Sequence, residues 1–315
     1  MNLAHAIREV FAGRLPLARS AAFSLALLLS VGCSTRAYVT RQVADAVGSG
    51  GGTFGSDDDP QLVREATPFA LKFSESLLAS APRHEGLLLS LAQGFTQYAA
   101  VFVWQDAVES GDPVAREAGK IRAIALYLRA KEYGFRALEV RHPGFRQLVA
   151  ADAVLAARTA SVDDVPLLYW TGAAWSLAVA ASSGNPAMIA DLPRCEALLR
   201  RALELKEDYD AGAIHEYFIA FEGSRPAAMG GSVERARRHF TRAMELAAGR
   251  KVSPLVTLAE SVSVGEQDRR EFLALLEKAL VFNARELAPE YRQANLAAQR
   301  RAVWLKGRVD ELFLE

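Results

Sequence analysis

The sequence predicts an all-α fold, a superhelical solenoid of helical hairpins similar to tetratricopeptide repeats. Three observations predict it. A triplet at i, i+4, i+7, small–large–small in its first two copies, occurs as Cys195, Leu199, Ala202, then as Ala236, Phe240, Ala243, then as Phe272, Leu276, Ala279, at offsets of 41 and 36 residues. Ala123, Tyr127 and Ala130 make an earlier copy, 72 residues before Cys195. That triplet marks the second helix of such a repeat, whose usual period is about 34. Ala, Leu, Arg and Glu dominate while strand-like alternation is scarce, which favours helices. From Pro60 onward helical periodicity is nearly continuous, interrupted where proline and glycine fall. In this pattern the small residues let two helices approach and the large one fills the space between neighbouring hairpins. Stacked hairpins enclose a curved groove, which argues for recognition before catalysis.

The bulk composition agrees. The chain has 315 residues, 51% of them hydrophobic, ample for a packed core. Lys plus Arg and Asp plus Glu both number 37, so no basic excess is present for nucleic acid to exploit.

Residues 1–33 read as an export signal. Arg8, Arg14 and Arg19 precede an apolar run at 21–31. It is shorter than the roughly 20 residues a membrane span needs and fits a signal h-region. Gly32, Cys33, Ser34 and Thr35 follow, an arrangement resembling a bacterial lipobox, with Ser30 where leucine is usual. In such signals the cysteine is lipidated and becomes the mature N-terminus, so Cys33 is the expected lipidation site. The alternative is a buried helical cysteine in a cytoplasmic protein. With Cys33 acylated, Cys195 has no disulfide partner and reads as a core thiol. No later segment reads as apolar for long enough to cross a membrane.

Residues 34–59 read as a short helix at 38–47 and a glycine-rich linker at 48–55. Asp57, Asp58 and Asp59 before Pro60 suit a helix start. They lack the alternate spacing of a calcium loop. Residues 60–315 form the repeat domain, with helices expected at 61–80, 84–109, 113–138, 145–156, 164–183, 192–206, 210–222, 233–248, 254–264, 267–283 and 289–312.

No catalytic or metal-binding motif appears: there is no C-x-x-C, H-E-x-x-H, Walker loop or G-x-S-x-G elbow. The five histidines (His5, His84, His142, His215 and His239) are scattered without metal spacing. No cofactor and no enzymatic activity are expected. A hydrolytic pair of His215 and Glu216 fits poorly, because adjacent helical residues point about 100° apart.

Three clusters are candidates for ligand contact. His215, Glu216 and Tyr217 precede an insertion carrying Glu222 and Arg225, and Arg225 is suited to gripping an anion bidentately. The alternative is that Glu222 and Arg225 pair and cap neighbouring helices. Trp170, beside Tyr169 and ahead of Trp175, matches first-helix packing or a groove wall. Asn295 and Gln299 share one helix face and would bond a ligand or the backbone of a neighbouring loop.

The order of several short motifs resembles the T component associated with TRAP transporters, the TatT family. They are LYLRAKEYG at 126–134, RHPGF at 141–145, DVPLLYWTG at 164–172, DLPR at 191–194, the stretch 198–207, HEY at 215–217, EGSRP at 222–226, AMGG at 228–231, EQDRREF at 266–272 and NLAAQRRAVW at 295–304. The resemblance covers 60–315. It implies a periplasmic lipoprotein that binds the substrate-binding subunit of a tripartite ATP-independent transporter and a small organic acid, without catalysis. It also implies a homotrimer with a ligand cleft and a pore through each protomer. His215, Glu216, Tyr217, Glu222, Arg225, Asn295 and Gln299 are the pocket residues it suggests. Ser34 after the cysteine points to the outer membrane in bacteria that sort on that position. The alternative function is a scaffold lipoprotein that holds a peptide or protein and no small molecule.

Overall fold

Acidic caps and prolines set where the helices begin. Asp59 Oδ1 accepts from the Gln61 and Leu62 amides with Pro60 in the first turn, and Asp112 does the same for Val114 ahead of Pro113. Asp268 Oδ1 accepts from the Glu271 amide in the same way. The structure, a computed structural model, describes residues 42, 51–182 and 184–314. The expected signal, Cys33 and most of the 38–47 helix lie outside them.

Fifteen helices follow among the described residues, apart from short 3-10 turns. They are α1 Gly51–Ser56, α2 Pro60–Ser80, α3 Glu85–Glu109, α4 Pro113–Arg141, α5 Phe145–Ala151, α6 Ala153–Arg158, α7 Val165–Ala181 and α8 Pro186–Ile189. Then come α9 Leu192–Leu205, α10 Ala213–Gly223, α11 Val233–Ala247, α12 Ser253–Leu258, α13 Arg269–Leu280, α14 Arg292–Lys306 and α15 Val309–Leu312. A π turn, Ala99–Trp104, lies within α3, and another, Ala259–Ser263, extends α12. No strand occurs among the described residues, and the fold is an all-α solenoid of hairpins.

The hairpins are α3/α4, α7/α9, α10/α11 and α12/α13, with α2 stacked before the first and α14 after the last. All four triplets sit in second helices. Their members are buried except Phe240, which is half-buried and packs into the two C-terminal clusters. Small residues permit the contact the triplets require. A Cβ on Gly134 of α4 would lie 2.1 Å from Thr171 Oγ1 of α7, and one on Gly172 would lie 2.7 Å from Leu199 of α9.

Several elements differ from expectation. The glycine-rich stretch 51–56 is helical. Its poor propensity is overridden by contact with α14 and the turn Pro289–Tyr291. Arg292 donates to Ser56 O at 2.6 Å and Gln293 to Asp57 O at 2.8 Å, satisfying carbonyls at and just past the end of that helix. The 145–156 helix breaks at Asp152, which caps α6. The 210–222 helix starts at Ala213, because Asp210 and Ala211 adopt left-handed φ of 46° and 51°. The long C-terminal helix divides at Arg292 and again after Lys306. Helix α3 is long and apolar enough to cross a membrane by length and composition, contrary to the sequence reading. Half of that apolar window is buried, with Leu87, Leu88, Leu91, Ala92 and Phe95 in contact with the protein interior.

The two ends of the superhelix meet. Arg300 of α14 donates to Asp106 Oδ1 at 2.7 Å and Glu109 Oε2 at 2.8 Å, both at the end of α3.

Ala243 is 1% exposed, with its Cα 3.3 Å from where a Gly212 Cβ would stand. Ala243→Leu is therefore expected to force α11 from the 209–212 turn and lower stability by about 1–3 kcal/mol. Thermal melting reads it; an unchanged Tm would show that the triplet does not carry the hairpin contact.

Candidate ligand cleft

The meeting of the ends creates a cleft of about 450 Å³ between the start of α2, the π turn of α3 and the outer face of α14. Asp59 and Pro60 fix the start of α2, so Gln61 and Arg64 face α14 across the cleft. The π turn carries an extra residue in its turn. Val101 and Phe102 line the cleft there while Val103 stays in the core. Leu296 and Ala297 supply the opposite apolar wall.

Two guanidiniums flank that apolar surface. Arg64 pairs with both oxygens of Asp106, Nη2 to Oδ1 at 3.0 Å and Nη1 to Oδ2 closer still, and lies 5.0 Å over the Phe102 ring. Arg300 shares the same Asp106. Arg301 reaches Glu109 at 3.5 Å and Glu260, in the second π turn, at 2.5 Å. Burial raises the Asp106 carboxyl, but hydrogen bonds and charge from Arg64 and Arg300 outweigh it and hold it below the usual carboxylate range. Three arginines against three carboxylates leave the seam neutral. An incoming carboxylate can take over the share of Arg64 and Arg300 that Asp106 now holds, while an apolar tail lies on Phe102 and Leu296.

The residues singled out in the sequence lie elsewhere. His215, Glu216 and Tyr217 point three ways, as helical geometry demands. His215 Nδ1 is 2.8 Å from His239 Nδ1 and its Nε2 is 3.2 Å from Glu207 Oε1. Glu207 is gripped by Arg242 at 2.8 and 3.0 Å, which holds its carboxyl down to about 2. Glu216 pairs at 3.4 Å with Lys251, a buried ammonium that also donates to Asp210 O at 3.3 Å and lies 5.3 Å over the Tyr291 ring. Burial opposes that charge, and Glu216 with Asp210 more than restores it, so the Lys251 pKa is raised. Tyr217 donates to Ser176 Oγ at 2.8 Å. Trp170 packs edge-on against Tyr169, centroids 5.0 Å apart.

Glu222 is wholly buried and meets Arg235 at 2.6 Å, Arg200 at 3.2 Å and Arg225 at 3.7 Å. Arg225 also donates to Phe221 O at 2.7 Å and Met229 O at 3.2 Å and lies 3.6 Å over the Phe221 ring. The insertion is thereby folded back on itself: a Cβ on Gly231 would come within 1.9 Å of Arg225 O. Asn295 accepts from the Val252 amide at 3.0 Å and donates to Arg250 O at 2.9 Å. Gln299 donates to Ala279 O at 3.0 Å and Phe282 O at 2.7 Å. These amides tie α14 to the loops before α12 and after α13.

None of the eight candidates lines the cleft. Arg300 stood within the motif at 295–304, one residue past Gln299. Arg64 and Phe102 carried no signal, because only closure of the superhelix brings them beside it. Among the described residues no group of three or more His, Cys, Asp and Glu is placed to hold a metal.

Burial, then the neighbouring His215, push His239 down to about 4 from an ordinary 6.5. The unfolded chain takes up that proton at higher pH than the folded chain does. The His239 contribution to stability is therefore complete above about pH 6.5 and lost as pH falls toward 4. His239→Gln, which keeps a partner for His215 without titrating, is expected to flatten the fall of Tm between those pH values. Parallel curves for both chains would remove His239 from the acid response.

A family model described as TRAP transporter T-component matches residues 56–313. An uncharacterized protein of Treponema pallidum (strain Nichols) is 29% identical over 269 residues, which is 83% of each chain. With nearly the whole described solenoid matched, the chain belongs to the TRAP transporter T-component family and is an accessory component of that transport system.

Proposed function

We propose that the chain is a lipid-anchored periplasmic adaptor that holds a small organic acid in the seam cleft and binds the substrate-binding subunit of a TRAP transporter. The observation that carries the ligand reading is the cleft itself: an apolar wall of Val101, Phe102, Leu296 and Ala297 facing Arg64 and Arg300, which share one carboxylate. Family membership supports the transporter role. The basic-then-apolar N-terminus ending at Cys33 supports export and lipid anchoring, and Ser34 after the cysteine supports the outer membrane. Association into a homotrimer belongs to the same reading. The reading is non-catalytic, and the divergence of His215 and Glu216 toward separate partners favours it.

Titration of the purified protein with straight-chain monocarboxylates tests the ligand. Arg64→Ala removes a charge-assisted pair of about 1.5–3 kcal/mol, so binding is expected to weaken roughly 10- to 100-fold. Equal affinity in both chains would place the ligand elsewhere. Co-purification of the substrate-binding subunit with no small molecule in native mass spectrometry would favour the scaffold reading.

A further inference from the structure

Helix α2 has two apolar faces. Val63, Leu71 and Leu78 are buried within the solenoid. On the outer side Leu62, Phe69 and Phe73 are 54%, 75% and 42% exposed. Their spacing of seven and four residues sets them in one stripe along the helix. The two phenylalanine rings stack with centroids 6.2 Å apart and planes 11° from parallel. Held in water, these rings forgo the burial that normally stabilises aromatic side chains. The polar neighbours of the stripe are mutually satisfied: Lys72 pairs with Glu75, and Gln61 donates to Glu65.

We propose that this stripe lies in the interface of the bilayer to which the chain is tethered. The proposal rests on the lipid-anchor part of the reading above. Residues 34–50 separate Cys33 from α1, a length that spans at most about 60 Å when extended. Helix α1 packs at the seam immediately before Pro60, so the tether enters the domain beside α2. The stripe is a ridge of protruding rings on a convex helix. A soft lipid surface accommodates it, with the rings among the acyl chains and Lys72 beside the headgroups. Surface and tether then reinforce each other, as two weak membrane signals do.

The full chain, bound to vesicles of phosphatidylethanolamine and phosphatidylglycerol, tests this in two arms. Flotation of wild type against Cys33→Ala reads what the anchor adds to the stripe. For the face, a nitroxide is placed through Phe69→Cys and, as a control, through Glu234→Cys on exposed α11; Cys195 is buried and stays unlabelled. On vesicles, collision of the label at position 69 with a water-soluble nickel complex is expected to fall severalfold, with no change at 234. Equal nickel access at 69 on and off vesicles, with the anchor intact, overturns the proposal. So does a label already shielded without lipid, which assigns the stripe to a second copy or to residues 34–50. Should Cys33→Ala float as well as wild type, the anchor reading fails, and the label at 69 still reports whether the stripe touches lipid.

Discussion

The close approach of successive helices is the constraint on which the rest depends. Helix α4 meets α7 where Gly134 leaves no room for a methyl group against Thr171, and α7 meets α9 where Gly172 does the same against Leu199. Such contacts set the angle and pitch at which each hairpin leans on the next. A solenoid with bulkier contacts would open wider, and its ends would not meet. Closure, and with it the cleft, is a consequence of residues far from either.

The seam itself is electrostatic. Arg64, Asp106, Arg300, Glu109, Arg301 and Glu260 form one chain of pairs joining α2, α3, α14 and the second π turn. Most of these groups keep contact with solvent, so each pair contributes modestly to stability. Their value lies in register. Charges in alternating order accept one alignment of the two ends and oppose others. Both π turns border this network, and π turns frequently lie at functional sites.

Hairpin α10/α11 holds the other concentration of buried polarity. The His215–His239–Glu207 contacts, the Lys251–Glu216 pair and the Glu222 carboxylate among three arginines each bind a loop to a helix. Around them the turn at Asp210 and Ala211 holds two non-glycine residues with left-handed backbone, and the Lys251 ammonium bonds the Asp210 carbonyl there. The insertion that interrupts the repeat is therefore anchored from within.

The helical class and the hairpin register were legible in the linear order, because the triplets from Cys195 to Ala279 are local patterns that recur at offsets of 41 and 36 residues, and the family was legible in the ordered short motifs between 126 and 304. The eight candidate ligand residues are polar or aromatic groups in a helical context, seven of them suggested by the family's motifs. In the structure each is engaged within the protein, and an unusual residue of that kind signals a constraint without saying which group meets it. The helix at 51–56 and the cleft at Arg64, Phe102 and Arg300 were not legible, since both arise from contacts between chain ends nearly 200 residues or more apart. Local composition determined what most segments become. Which ends meet, and what space remains between them, is the summed curvature of every hairpin and was decided only by tertiary packing.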